Sequence, residues 1–273
     1  MQLQDAKQRF EERGIKLAAI SYDSPAILKD FAQRHKIEFP LLADPNSEII
    51  RAFNVLNAQA SGMNKGMAHP GFFYIDSSGV VREKYFEAKD TDRYTPNNVL
   101  SKLFPELTEG VSRDIDAPHI RLTLEQSDYE VISGNRVTFI VQIDLPPNVH
   151  VYSPGVQGYK PIQLTLNPID GIDFAPVAYP SSKVLYLPAI QEHVQVFEGK
   201  FRITQDATLT VSKTREIVRA LVSPGKTIAI TGELKYQACD DELCYPPASV
   251  PVMWSLRVLP LDLQRSPEEI RHQ

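Results

Sequence analysis

The spacing of apolar residues changes once along this chain, and that change divides it in two. In the first hundred residues, short apolar runs alternate with stretches of helical period. Residues 2–13 carry the polar, amphipathic pattern of a helix. Leu17–Ser21 reads as a buried strand. Ser24-Pro25 sets an N-cap ahead of a proline at the first helical position, which predicts a helix to about His35. Phe39–Leu42 predicts a short strand, and residues 46–54 a helix with Ile49, Ile50 and Phe53 on one face. Phe72–Asp76, the turn Ser77-Ser78-Gly79 and Val80–Phe86 predict a hairpin, and Thr95-Pro96 opens a last helix to Leu103. Strands alternating with helices imply a layered α/β unit.

Beyond residue 118 the period is two. Ile120, Leu122 and Leu124 alternate with polar residues, as do Val137, Phe139, Val141 and Ile143, and Ile162, Leu164 and Leu166. Ile228, Ile230, Leu234 and Tyr236 continue the pattern, and Val252, Trp254, Leu256 and Val258 close it. Pro and Gly punctuate these runs at turn spacing, the signature of an antiparallel β-sandwich. Residues 106–118 are polar and aperiodic. The reading is therefore a first domain over 1–108, a linker over 109–117, a β-sandwich over 118–262 and a polar tail over 263–273, with a short exposed helix after Ser266-Pro267.

Composition narrows the partners. A length of 273 residues suits two domains, and 42% hydrophobic with 23% charged residues is ordinary for a globular chain. The net charge of −5 and the lack of a Lys/Arg stripe argue against nucleic acid. No apolar run is long enough to span a bilayer, and the polar residues 1–15 are not a signal peptide, so the chain as written reads as cytoplasmic. The six histidines (His35, His69, His119, His150, His193, His272) show no metal-site spacing, and two cysteines fall short of the four ligands of structural zinc. No metal or other cofactor is expected.

The chemistry is concentrated in one loop. Cys239 and Cys244 are the only two cysteines, five residues apart. A disulfide closing so short a loop contributes about 2 kcal/mol through chain entropy. That is small beside the gross burial of a sandwich, on the order of 10² kcal/mol. From the residues alone, a structural pair and a redox pair stand as equal alternatives.

The segment Gly232-Glu-Leu-Lys-Tyr-Gln-Ala-Cys-Asp-Asp-Glu-Leu-Cys-Tyr-Pro-Pro247, together with Val252–Val258, Pro147–Pro154 and Phe197-Glu-Gly-Lys200, closely resembles the amino-terminal domain of DsbD-type thiol:disulfide interchange proteins. That resemblance implies an immunoglobulin-like sandwich in the bacterial periplasm. Its Cys239–Cys244 pair would cycle between disulfide and dithiol, with a thioredoxin-like redox protein or membrane-linked donor as partner. Phe197 stands at the position of the family's aromatic cap over the disulfide, and Tyr152 and Tyr236 are candidates to line the site. Four residues separate the cysteines here, one fewer than in the best-known members. The acidic residues preceding the family's cap are replaced by Gln195 and Val196. Asp240, Asp241 and Glu242 between the cysteines should raise the thiol pKa values.

Residues 14–23, 39–45 and 70–76 (Pro70-Gly-Phe-Phe-Tyr-Ile-Asp76) resemble the peroxiredoxin (AhpC/TSA) branch of the thioredoxin fold. The resemblance makes Pro70 the candidate for that fold's cis-proline. It also implies a central strand and a turn bearing a reactive cysteine or selenocysteine ahead of Met1, so peroxidase chemistry is not expected of residues 1–110 as written. The combined expectation is a thiol–disulfide oxidoreductase component. The alternative is a non-catalytic interaction module with a structural disulfide on a degenerate thioredoxin-like scaffold.

Overall fold

The computed structural model describes all residues except 1, 88, 90, 106–111, 188–190, 211–226, 241, 263 and 272–273. Two units emerge, one of Met1–Leu103 with Pro260–Gln273 and one of Phe104–Leu259.

The first unit runs α1 (Gln2–Glu11), β1 (Ala19–Ser21), α2 (Pro25–His35), β2 (Leu41–Ala43), α3 (Glu48–Ala52), β3 (Gly71–Ile75), β4 (Val81–Phe86), β5 (Arg93–Tyr94) and α4 (Pro96–Leu103). Local chemistry fixes the helix starts. The Ser24 hydroxyl accepts from the Ile27 N–H, and Thr95 accepts from Asn98 at 3.0 Å. The buried Asp44 carboxylate accepts from the Glu48 and Ile50 N–H groups, both at 2.9 Å, at the start of α3. Lys36 adopts the left-handed conformation that closes α2. Ala6 and Phe10, one turn apart on α1, are buried, as are Val99 and Leu100 on α4.

Four of the five strands described for this unit fall into two separate pairs. β1 and β2 are parallel, with Ala19 opposite Leu41, while β3 and β4 form an antiparallel hairpin. The family resemblance placed a further strand between these two pairs. The expectation of a cis-proline at Pro70 is corrected, because no cis peptide bond occurs among the described residues, Pro70 included. The His69 N–H bonds the Val55 carbonyl at 2.8 Å and Pro70 leads straight into β3. An extended entry of that kind is met by the trans isomer, which X–Pro bonds prefer by about 0.5–1 kcal/mol. The polar tail after residue 260 groups with this unit: Arg34 lies 3.5 Å from the Ser266 hydroxyl, and His35 3.5 Å from Asp262.

The second unit is almost entirely strand: β6 (Arg113–Ala117), β7 (Ile120–Gln126), β8 (Glu130–Val131), β9 (Asn135–Asp144), β10 (His150–Tyr152), β11 (Gln163–Leu166), β12 (Ile172–Phe174), β13 (Lys183–Leu187), β14 (Glu192–Glu198), β15 (Lys200–Leu209), β16 (Ile228–Tyr236), β17 (Ala238–Cys239) and β18 (Ala248–Val258). One sheet runs β12-β15-β9-β7-β6 and another β11-β16-β18-β8. Inward residues of both share one core, with Leu122, Phe139, Val141 and Ile203 from the first and Leu164, Ile230, Leu234 and Trp254 from the second. The Trp254 indole N–H bonds the Glu125 carbonyl at 2.8 Å, tying β18 to β7. At Gly232 the β11 backbone comes so close that a Cβ would collide with the Thr165 carbonyl oxygen.

A third sheet, β13-β14-β10-β17, carries the cysteine loop at its edge. Residues 113–117, read from sequence as linker, are a strand paired with β7 (Ile115 opposite Leu122). Their apolar content, Ile115 and Ala117 against the core, was too sparse to show as a period of two.

Candidate functional site

Cys239 ends β17, whose partner β10 sets His150 opposite Cys239 and Val151 opposite Ala238. Directly opposed residues of an antiparallel pair point to the same face, and neighbours along a strand point to opposite faces. On the next strand, Tyr152 faces Val196 and Val151 faces Phe197. The ladder therefore sorts side chains into two sets. Tyr152, Val194, Val196 and Cys239 pack as one small cluster with Tyr159, Leu185 and Leu187 around it. Val151, Ala238 and Phe197 face the main core.

Cys239 and Cys244 form a disulfide with the Cα atoms 4.0 Å apart. The two residues differ in access: Cys239 is 1% exposed, whereas Cys244 lies on the surface beside Leu243, itself 51% exposed. The Tyr152 hydroxyl stands 3.6 Å from each sulfur. Its ring packs against Tyr159 at 4.3 Å, and the Tyr159 hydroxyl donates to Glu192 at 2.7 Å. Burial pushes the Tyr152 pKa up, so its hydroxyl stays a donor through the physiological range. The hydrogen bond to Glu192, reinforced by partial desolvation, takes Tyr159 to about 12.

The loop between the cysteines is held by Asp240. One carboxylate oxygen accepts from the N–H groups of Glu242 (2.9 Å) and Leu243 (2.8 Å), and the other from the Tyr245 hydroxyl at 2.6 Å. These bonds, Tyr245 first, depress the Asp240 pKa and raise that of Tyr245. The His150 imidazole, buried and edge-on to Tyr152 at 5.5 Å, also favours the Asp240 anion. Asp241 lies outside the described residues.

Of the residues anticipated from sequence, Cys239, Cys244 and Tyr152 come together, and Phe197 and Tyr236 do not. Phe197 is not a lid: it is 4% exposed in the main core, stacked on Phe201 at 4.8 Å. The one-residue offset from Val196 puts it on the opposite face from the sulfurs. Tyr236 also belongs to the core, donating its hydroxyl to the Pro118 carbonyl at 2.7 Å, with burial raising its pKa to about 12. Pro70 lies in the other unit. Val196, noted only as departing from an acidic pattern, packs against the cysteine. His150, Tyr159 and Tyr245 were not singled out. The alternation His150-Val151-Tyr152 carries the signal for the first of these. Among the described residues, no group of three or more His, Cys, Asp or Glu side chains is placed to hold a metal ion.

Comparison with known proteins matches two separate segments of the chain. Residues 1–84 match the model of the AhpC/TSA family, and residues 121–252 that of "Thiol:disulfide interchange protein DsbD, N-terminal". Among curated proteins, the chain is 27% identical over 93 residues to peroxiredoxin bcp of Haemophilus influenzae, covering 34% of this chain and 60% of that one. It is 28% identical over 97 residues to the 1-Cys peroxiredoxin PER1 of Arabidopsis thaliana, covering 30% and 45%. Alkyl hydroperoxide reductase C of Staphylococcus haemolyticus is 28% identical over 95 residues, covering 33% and 48%. The chain thus spans about half the length of the curated relatives it matches. Two solved structures are similar in part. The N-terminal periplasmic domain of ScsB from Proteus mirabilis has a TM-score of 0.37 at 13% identity, covering 53% of this chain and 51% of that one. The reduced DsbD N-terminal domain of Neisseria meningitidis has a TM-score of 0.29 at 15% identity, covering 43% and 75%.

Proposed function

We propose, for a chain that joins an AhpC/TSA-type segment to a DsbD amino-terminal-type domain, that Cys239–Cys244 is the redox-active disulfide of a thiol–disulfide exchange module, carried on an immunoglobulin-like sandwich. The observation that carries this reading is the asymmetry of the pair: one sulfur residue on the surface, the other buried, and one tyrosine hydroxyl within reach of both. A donor between the sulfurs can stabilise the thiolate that forms when the bond opens.

The exchange follows from that geometry. A thiolate of a partner dithiol attacks the Cys244 sulfur in line, a partner–Cys244 bond forms and the Cys239–Cys244 bond breaks. Cys239 departs with the electron pair and takes up a proton. Tyr152 donates a hydrogen bond to the departing sulfur, a contact much stronger for a thiolate than for a neutral disulfide, and so favours the charge that develops. The partner's second thiolate then attacks its own first sulfur and releases Cys244. Two electrons have passed, leaving the partner oxidised and the 239–244 pair a dithiol, which reduces the next disulfide by the reverse steps.

The partner of this reading is a thioredoxin-like redox protein. The AhpC/TSA-type segment, residues 1–84, contains neither of the two cysteines, so the exchange proposed here is carried by the second unit. The test is a redox titration of the pair against glutathione and dithiothreitol, scored by alkylation of free thiols. Reversible titration near the glutathione range, with reduction by a thioredoxin-like donor, is expected. A pair that stays oxidised far below that range and ignores the donor would favour the structural-disulfide alternative.

A further inference from the structure

We propose that Asp240 and Tyr245 are positioning residues, a non-covalent clasp that holds the two cysteines together once their disulfide is broken and so biases the pair toward the oxidised state. This rests on the reading of the pair as redox-active. Asp240 follows Cys239 and Tyr245 follows Cys244, so the bond from the Tyr245 hydroxyl to the Asp240 carboxylate (2.6 Å) closes the same loop as the disulfide, one residue further along. The base of the loop is closed again in the backbone, where the Tyr245 N–H bonds the Ala238 carbonyl and the Asp240 N–H the Leu243 carbonyl, both at 2.9 Å. The Gln237 side chain donates to the Tyr245 carbonyl at 2.9 Å.

The tyrosine ring is itself fixed. The His119 imidazole stacks on it with centroids 3.7 Å apart and planes 9° from parallel. His119 reaches that position from the β6–β7 turn in a left-handed conformation (φ 66°), and the bond from Tyr236 to the neighbouring Pro118 carbonyl anchors the turn. None of these contacts uses a sulfur atom, so breaking the S–S bond removes none of them.

A free loop of this length would let Cys244 drift from Cys239 on reduction. A clasped loop keeps the thiols adjacent, and a higher effective concentration of one thiol at the other favours re-formation of the disulfide. The carboxylate also accepts three bonds, which sets the loop's shape independently of the bridge.

The test is the disulfide–dithiol equilibrium constant against glutathione for the full chain and for Tyr245→Phe, Asp240→Ala and the double variant. A charge-assisted bond suggests that each single change lowers the constant about tenfold, a shift of about 30 mV toward easier reduction. The double variant should lose no more than the larger single loss, because either change opens the same clasp. Melting temperatures should fall more for the oxidised forms than for the reduced ones, because a lost preference for the disulfide is, by linkage, a loss of stability of the oxidised chain relative to the reduced chain. Tyr245→Phe leaves the loop's charge intact and so separates clasping from electrostatics. Equilibrium constants within twofold of the unaltered chain, or losses that simply add, would overturn the clasp while leaving the exchange function standing. A pair that does not titrate in the unaltered chain would overturn both.

Discussion

His150 and Cys239 stand opposite each other on β10 and β17, and that single register decides which residues meet the sulfurs. It puts His150, Tyr152, Val194 and Val196 on the sulfur face and sends Val151 and Phe197 into the core. A slip of one residue would exchange the two sets, because side chains alternate across a strand. Two β17 residues suffice to hold the register, because Tyr245 closes back on Ala238 immediately beyond the cysteines.

The different exposure of the two cysteines sets their reactivity when each is left alone. With Cys239→Ser, the remaining surface thiol at Cys244 should react quickly with an aromatic disulfide reagent and give a stable mixed disulfide. With Cys244→Ser, the thiol at Cys239, buried under Tyr152, should react at least about tenfold more slowly, since thiol reactivity needs access as well as ionisation. Stopped-flow kinetics of the two variants measures this, and equal rates would count against Cys244 as the point of attack.

Tyr152→Phe removes one hydroxyl and keeps the ring packed against Tyr159. A hydrogen bond to a charged group contributes about 1.5–3 kcal/mol, so reduction of the disulfide by dithiothreitol should slow by roughly tenfold or more. The apparent pKa of the reduced pair, followed by thiolate absorbance, should rise as the donor is lost. A variant reduced at the unaltered rate would mean that the hydroxyl takes no part in the transition state.

The helices of the first unit were legible because their caps are written in the sequence: Ser24-Pro25 and Thr95-Pro96 start helices in the structure as they predict. The long strands of the second unit were legible because one face of each is buried, which imposes the period of two. What escaped is instructive. β10, β13, β14 and β17 belong to a sheet whose sulfur-side face packs only a small cluster, so alternation there is weak, and short strands such as β17 carry no period at all. The cysteine pair could be read from the family resemblance, and Tyr152 from its motif. The placing of Phe197 could not: its face depends on the register of β14 against β10, a long-range pairing that no local pattern states.

Phe197 lies in the core, so its loss should cost stability and leave reactivity alone. Phe197→Ala removes a 4%-exposed ring stacked on Phe201. Deletions of this kind cost about 3–5 kcal/mol, which thermal or denaturant unfolding would report. Reaction of the folded variant's disulfide with small thiols should be unchanged. A marked acceleration without loss of stability would restore Phe197 as a lid.

Acid should act first on turns that depend on ionised carboxylates, and Asp76 in the β3–β4 turn is the clearest. Its carboxylate accepts from the Ser78 hydroxyl and N–H, from the Val80 N–H and from the Arg82 guanidinium. The Ser78 hydroxyl acts most strongly, and together these contacts lower the pKa from 3.8 to about 2. A folded-state pKa below the unfolded one means that stabilisation is complete above pH 3.8 and fades as pH falls from there toward about 2. The group is half-buried in a surface turn, so the effect is local and modest, confined to the hairpin. Asp76→Asn should therefore destabilise the hairpin at neutral pH and flatten its pH dependence between 3.8 and about 2. Amide exchange at Ser78 and Val80 measures this directly. Protection that falls equally with acid in both proteins would assign the acid sensitivity to other groups.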